Sequence, residues 1–296
     1  MRYDTSMKDS IFDVANVMLM IGIIFVTLFP FWYAFVGSFN HGADYMRGGV
    51  MVWPRQFTLA NYRVVLRERQ IIDAYQITIG RTALGTLAHI IFTGVFAYGF
   101  SRPYLKGRKV YATIGIITMF FSGGLIPIYL LYRSLGLLNN FLVFILPGMF
   151  NFWNVLIFQT FFREIPISIN ESAKMDGANE YTIFFRLIIP VSKPVFAAIA
   201  LFVAVWHWNS FFDAMVFTTS RSLQPLQLYL MRIIRTREAA ANIASRAAEM
   251  METQFEVNST TIQLATIVVT ALPIIALYPF LQKYFVKGLL IGSIKG

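Results

Sequence analysis

Six apolar runs recur along the chain, at about 15–39, 73–100, 110–132, 141–162, 194–218 and 262–286. Each is long enough for the roughly 20 helical residues that cross a hydrocarbon core. Hydrophilic segments near 40–72, 163–193 and 219–261 separate some of them, and a tail at about 287–296 follows the last. The pattern predicts an all-α polytopic membrane protein, a single domain over 1–296 with six transmembrane helices. The first run is too long for a signal-peptide core and has no small-residue cleavage site after it, so it reads as an uncleaved span. The stretch from Leu226 to Met251, rich in Ala, Arg, Glu, Leu and Met with no proline after Pro225, reads as a helix outside or at the membrane surface. No internal repeat and no broken helix around an ion site is evident.

Charge orients the spans. The loop after the second run carries Arg102, Lys106, Arg108 and Lys109, whereas the loop after the third holds only Arg133. Positive loops stay inside, so both termini are expected in the cytoplasm of a cell with a plasma (inner) membrane, and 163–193 becomes an inner loop. All eight lysines (Lys8, Lys106, Lys109, Lys174, Lys193, Lys283, Lys287 and Lys295) then fall on the inner side. Composition agrees with a lipid environment: 57% of residues are hydrophobic and only 14% charged. In that setting a net charge of +10 reflects topology and anionic headgroups rather than nucleic acid. With no cysteine, thiolate metal sites, cysteine nucleophiles and disulfides are excluded. His41, His89 and His207 form no metal-spaced pair, no Ser, His and acid set is apparent, and no Gly-Lys precedes Ser or Thr as a phosphate-cradling loop requires. The chain is therefore expected to have no catalytic or metal site and to bind no cofactor.

The inner loop carries the densest local signal. Ser168 followed by Glu171 has the form of a capping box opening a short helix. Asp176-Gly177 breaks it, and a second helical stretch from Asn179 to Leu187 is expected to stop before Pro190. On physics alone such a helix, turn and helix could simply be a connector covering the end of a bundle. Glu171-Ser172-Ala173, Gly177 and Ile188-Ile189-Pro190, however, resemble the EAA loop of binding-protein-dependent importer permeases, with Ser172 in place of an alanine and Ile189 in place of a leucine. The segment from Gln282 to Gly296 looks like the carboxy-terminal tail of the maltose-type carbohydrate permeases.

The resemblance implies a type I ABC importer permease (MetI-like) fold. It further implies that Glu171, Ser172, Ala173, Asp176, Gly177 and Pro190 belong to a coupling helix that docks on an ABC ATPase dimer. The implied partners are that ATPase, a second permease forming a heterodimer, an extracytoplasmic solute-binding protein and membrane lipid. A stand-alone secondary transporter, a membrane enzyme, and a permease of this family with a non-sugar cargo are the alternatives.

Polar groups within spans are costly and mark bundle interiors or substrate paths. Thr78, Arg81, Thr82, Gly85, Thr86, His89 and Thr93 fall on one helical face of the second run, expected to look into the protein. Arg81 could instead lie near the outer end and snorkel to the headgroups, and His89 reads more readily as an interior hydrogen-bonding residue than as a ligand. In the fifth run Trp206, Asn209, Ser210 and Asp213 share a face, and the fourth offers Asn151, Trp153 and Asn154. Aromatic plates beside amides and carboxylates suit a sugar, whose apolar ring faces are edged with hydroxyls; an interfacial tryptophan belt is the competing reading. Arg47, Arg55, Arg63, Arg67 and Arg69 outnumber Asp44 and Glu68 in the first outer loop. Guanidinium groups pair with carboxylates, so they could face an acidic binding protein or an acidic, uronate-type oligosaccharide, with a solvated loop or headgroup contact as the plain alternative; the resemblance itself implies a sugar or oligosaccharide as cargo.

Overall fold

A computed structural model of the chain describes residues 7–49, 52–244, 258 and 260–276. The second half of the sixth expected span, the tail resembling that of maltose-type permeases, and the end of the Leu226 to Met251 segment lie outside the described residues. The chain divides into two compact units, Met1–Arg69 with Leu230–Leu272, and Gln70–Tyr229 with Pro273–Gly296.

In the first unit α1, Met7–Ser38, is apolar on nearly every side, and its side chains from Ile11 to Trp32 are exposed on the isolated chain. A helix apolar all round belongs in lipid. The segment after it folds back through an antiparallel bridge between Asn40 and Phe57, with α2 (Gly42–Met46) and α3 (Ala60–Arg67) on either side. Its polar knot is Asn61, fully buried, whose amide donates to the carbonyls of Ser38 (2.8 Å) and Asn40 (3.0 Å) and accepts from the Thr261 hydroxyl at 2.8 Å. Asp44 accepts from Asn40 at 2.8 Å and from Arg55 at 3.1 Å. Asn40, followed by Arg55, holds the Asp44 carboxyl below the usual carboxylate range.

The second unit is built on α4, Arg69–Ser101. Its buried positions, including Thr78, Arg81, Gly85, His89 and Thr93, recur every three or four residues, so the polar face read from the sequence does look inward. The remaining spans are not the straight helices expected. The third is α5 (Arg108–Phe120) and α6 (Leu125–Ser134), bent by 112° where Gly123 and Gly124 take φ of 60° and 91°. Left-handed backbone of this kind is open chiefly to glycine. The fourth runs from two short 3₁₀ turns over Phe141–Phe144 and Leu146–Gly148 into α7, Phe152–Glu164, with a 48° bend. Asn151 starts α7 by accepting the Asn154 backbone N–H on its side chain at 3.2 Å. The fifth is α11, Lys193–Asn209, which stops at Ser210 before α12, Phe212–Phe217. Among the described residues, only Ile11–Ser38 and Arg69–Ser101 are continuous helices long and apolar enough to cross a membrane alone; Thr260–Ala276 (α14) is a shorter apolar helix.

The loop between the fourth and fifth spans holds α8 (Ile167–Met175), α9 (Glu180–Ile183) and α10 (Ile189–Val191). Ser168 is not the cap: Pro166 precedes the helix without a side-chain bond, and Ser168 lies inside the first turn. The second arm also runs past Pro190 instead of stopping before it. A π-turn over Phe184–Ile188 widens the helix just ahead of the proline, which relieves the clash its ring makes with a normal preceding turn. Beneath the loop, Phe158, Phe162, Phe184 and Ile188 form an aromatic-rich core with Tyr98 and Val195. Helix α13, Leu226–Ala244, follows the fifth span.

Candidate functional sites: the loop and the membrane cleft

Helix α8 ends in two bonds that define its turn: Gly177 N–H donates to Lys174 O at 3.0 Å, and Ala178 N–H to Ala173 O at 2.9 Å. This Schellman arrangement requires a left-handed residue after the last helical turn, and Gly177 supplies it with φ of 79°. Ala173 packs against the aromatic core, while Glu171, Ser172, Asp176, Gly177 and Pro190 are exposed. So are Met175 (88%) and Tyr181 (71%). An arm anchored on one side and showing large apolar groups on the other has the form of a docking surface.

Just past the turn, Glu180 gathers three donors. Tyr98 Oη donates to one carboxylate oxygen at 2.6 Å, and Tyr104 Oη (2.8 Å) and Lys174 Nζ (2.7 Å) to the other. Burial pushes the Glu180 carboxyl up, but the bonds from Lys174, Tyr98 and Tyr104 outweigh it and bring it down to about 2. The same bond to Glu180, followed by that to Tyr104, raises Lys174 above its ordinary value.

Farther along the spans a cleft of about 370 Å³ opens among α4, α7 and α11. His89, Asn151, Trp153, Asn154 and Trp206 line it together with Pro147, Gly148, Phe150 and Phe202. His89 is fixed at both nitrogens: Nδ1 lies 2.6 Å from Gly148 O, and Nε2 lies 2.9 Å from Asn154 Nδ2. A carbonyl only accepts and an amide nitrogen only donates, so the ring is the neutral Nδ1–H tautomer and it orients Asn154. A second hollow of about 360 Å³ shares Phe202 and Trp206 and adds Val205, Asn209 and Ser210.

Two residues expected on the path lie apart from this lining. Arg81 is fully buried and does not snorkel. Its guanidinium pairs with both Asp213 oxygens, one at 3.1 Å, donates to Ser210 O at 3.2 Å and stands 4.5 Å over the Phe144 ring. Asp213 also accepts from Ser210 Oγ at 3.1 Å and from the Ala214 N–H at 2.8 Å. Because α11 ends at Ser210, Asp213 does not continue the Trp206 and Asn209 face; it closes the break instead. Backbone groups freed within a membrane must find internal partners, and Arg81 with Asp213 provides them.

Compared with known proteins, the chain matches the sequence profile of the binding-protein-dependent transport system inner membrane component over residues 9–291. It belongs to this family. Protein LplC of Bacillus subtilis (strain 168) is 38% identical to the permease over 286 residues, 97% of this chain and 95% of that protein. The polygalacturonan/rhamnogalacturonan transport system permease protein YtcP of the same organism is 34% identical over 98% of this chain and 100% of its own. A crystal structure of a bacterial ABC transporter involved in the import of the acidic polysaccharide alginate contains a chain that superposes with a TM-score of 0.86. Identity there is 34%, covering 96% of this permease and 100% of that chain.

The chain is thus the permease of an ABC importer and not an enzyme; an ATPase and a solute-binding protein are its partners by family. Phe150, Phe202, Pro147 and Gly148 of the cleft were not singled out in the sequence. Phe202 could have been found one turn before Trp206; the other three sit in the irregular turn that periodicity does not reveal. The Glu180 knot was missed altogether.

Proposed function

We propose that the permease forms one half of the membrane path of a carbohydrate importer, and that its cargo is an acidic, uronate-type oligosaccharide. The observation that carries the sugar reading is the cleft itself. Trp153, Trp206, Phe150 and Phe202 offer flat apolar faces, and Asn151 and Asn154 offer amides between them. The named cargoes of the two similar proteins, polygalacturonan and the acidic polysaccharide alginate, favour the uronate class. So do the exposed Arg47, Arg63, Arg67 and Arg69 near the first outer loop.

In this reading a second permease completes a heterodimer in a bacterial plasma membrane, with both termini cytoplasmic, and the solute-binding protein delivers sugar from outside. The permease binds no cofactor; ATP and Mg belong to the ATPase dimer. Glu171, Ser172, Ala173, Asp176, Gly177 and Pro190 form the coupling loop, on which closure of the ATPases pushes to open the cleft outward. The exposure of Met175 and Tyr181 on either side of the Gly177 turn supports a docked partner.

The test is uptake of oligogalacturonate by the whole complex in proteoliposomes. Trp206→Ala is expected to cut uptake about tenfold, in line with the loss of one well-placed aromatic contact, with ATP hydrolysis continuing. Glu171→Ala is expected to leave hydrolysis without uptake. Unchanged uptake in both variants refutes the two site assignments.

A further inference from the structure

The loop joins the fifth span covalently, through the π-turn and α10 into α11, but it is also fastened sideways to the second span. Tyr98 lies in the last turn of α4 and Tyr104 in the segment leading to α5, and both hydroxyls end on the Glu180 carboxylate. Lys174, in the last turn of α8, reaches the same carboxylate across the Gly177 turn and touches Tyr104 Oη at 3.3 Å. Arg102 stacks 4.2 Å over the Tyr98 ring and seats that tyrosine. One carboxylate therefore ties α8, α9 and the loop end of α4 together.

Glu180 and Lys174 are 45% and 44% exposed on their side chains. Ion pairs this open add little to stability, so the knot serves geometry more than it serves folding. Its geometry reaches the cleft. From Tyr98 to His89 along α4 is about 14 Å at 1.5 Å per residue, and from Lys193 to Trp206 along α11 about 20 Å. His89 and Trp206 stand on opposite helices of the same cleft.

We propose that Glu180 is a positioning residue for transport: it makes α4 follow the loop together with α11, so that one push moves both cleft walls. This rests on the coupling-loop reading above. Without the tie, motion of α8 enters α11 alone and His89, with the Asn154 amide it orients, stays behind.

Because the chain contains no cysteine, an introduced one reports on the cleft without knowledge of the cargo. Val205→Cys, which lines the second hollow, is labelled with an impermeant maleimide from outside in the whole complex, with and without ATP and vanadate. In the parent, nucleotide trapping is expected to raise the labelling rate. Glu180→Gln is expected to shrink that rise at least fivefold while the complex still hydrolyses ATP, and Tyr104→Phe, which removes the bond to Glu180 and the one from Lys174, at least twofold. A full rise in Glu180→Gln, or in Tyr104→Phe should Glu180→Gln fail to assemble, overturns the assignment of Glu180 even where Glu171→Ala abolishes the rise. No rise in the parent, or a full rise in Glu171→Ala, overturns the loop reading and this inference with it.

Discussion

The break in the fifth span should be the most sensitive point of the second unit, and Asp213→Asn tests it. Arg81 is wholly enclosed, Asp213 is 20% exposed, and the pair is bidentate. Amide for carboxylate preserves shape and one acceptor but leaves a buried guanidinium without a counter-charge. Breaking a buried pair by neutralising one partner typically costs about 3–5 kcal/mol. At about 2 °C or more per kcal/mol, the loss of melting temperature should be at least about 6 °C. The purified permease complex in detergent can be followed by tryptophan fluorescence, since Trp206 and Trp208 both lie on α11. Replacing both partners, Arg81→Met with Asp213→Leu, removes the stranded charge. It should recover most of the loss, leaving about 1–3 kcal/mol for the Ser210 carbonyl that Arg81 no longer satisfies. Asp213→Asn melting within about 1 °C of the parent, or a double variant less stable than the single one, would falsify the reasoning.

Two further outcomes follow from neighbouring geometry. A Cβ at Gly85 would overlap the ring of His207, which is fully buried and cannot swing aside, so Gly85→Ala should cost about 1–3 kcal/mol by thermal unfolding; Gly22→Ala, with nothing within 4 Å, should cost nothing. For Glu180, whose carboxyl is lowered from 4.5 to about 2, the knot's contribution is complete above the ordinary value and is lost only as pH falls toward 2. The coupling ratio, sugar moved per ATP hydrolysed, should therefore be flat from pH 8 down to about 5 as far as this group is concerned, and a step within that range that disappears in Glu180→Gln would contradict it.

What the sequence made legible follows from which signals are local. Long apolar runs are read by composition alone, and the inward face of α4 by its three-and-four spacing, because α4 is an unbroken helix and its phase never slips. The same reasoning carried from Trp206 to Asp213 goes astray: the helix stops at Ser210, which has neither glycine nor proline beside it, and the phase is lost. Gly123-Gly124 did mark a bend, but inside an apolar run of spanning length the hydropathy signal hides it. The loop was legible through its turn chemistry, since Gly177 occupies a position only a left-handed residue fills well. Its start was not, because Ser168 and Glu171 have capping-box spacing yet the chain enters the helix two residues sooner, with Pro166 at the cap position. Glu180 lies 82 residues from Tyr98 and 76 from Tyr104, and no periodicity links groups so distant.

The distribution of charge bears on how an acidic cargo could be handled. Among the described residues the cleft has no lysine, arginine, aspartate or glutamate in its lining, and the buried Arg81 guanidinium is neutralised by Asp213. A carboxylate entering such a space gives up hydration without gaining a counter-ion, which is unfavourable unless hydrogen bonds replace the water. Amides at Asn151 and Asn154 can bond hydroxyls and carboxylates alike, so this lining does not favour an acid over a neutral sugar. Exposed cations are found outside that lining, among them Arg47, Arg63 and Arg67 of the first unit, where Arg55 is already committed to Asp44 and to the Gly48 carbonyl at 2.6 Å. Fields from exposed charges act at a distance on approach and are screened by salt. On the proposed uronate cargo, the cleft would then select by ring faces and hydroxyls rather than by charge. A lining without cations can coexist with ready release, whereas a cation within the cleft would hold the anion it is meant to let go.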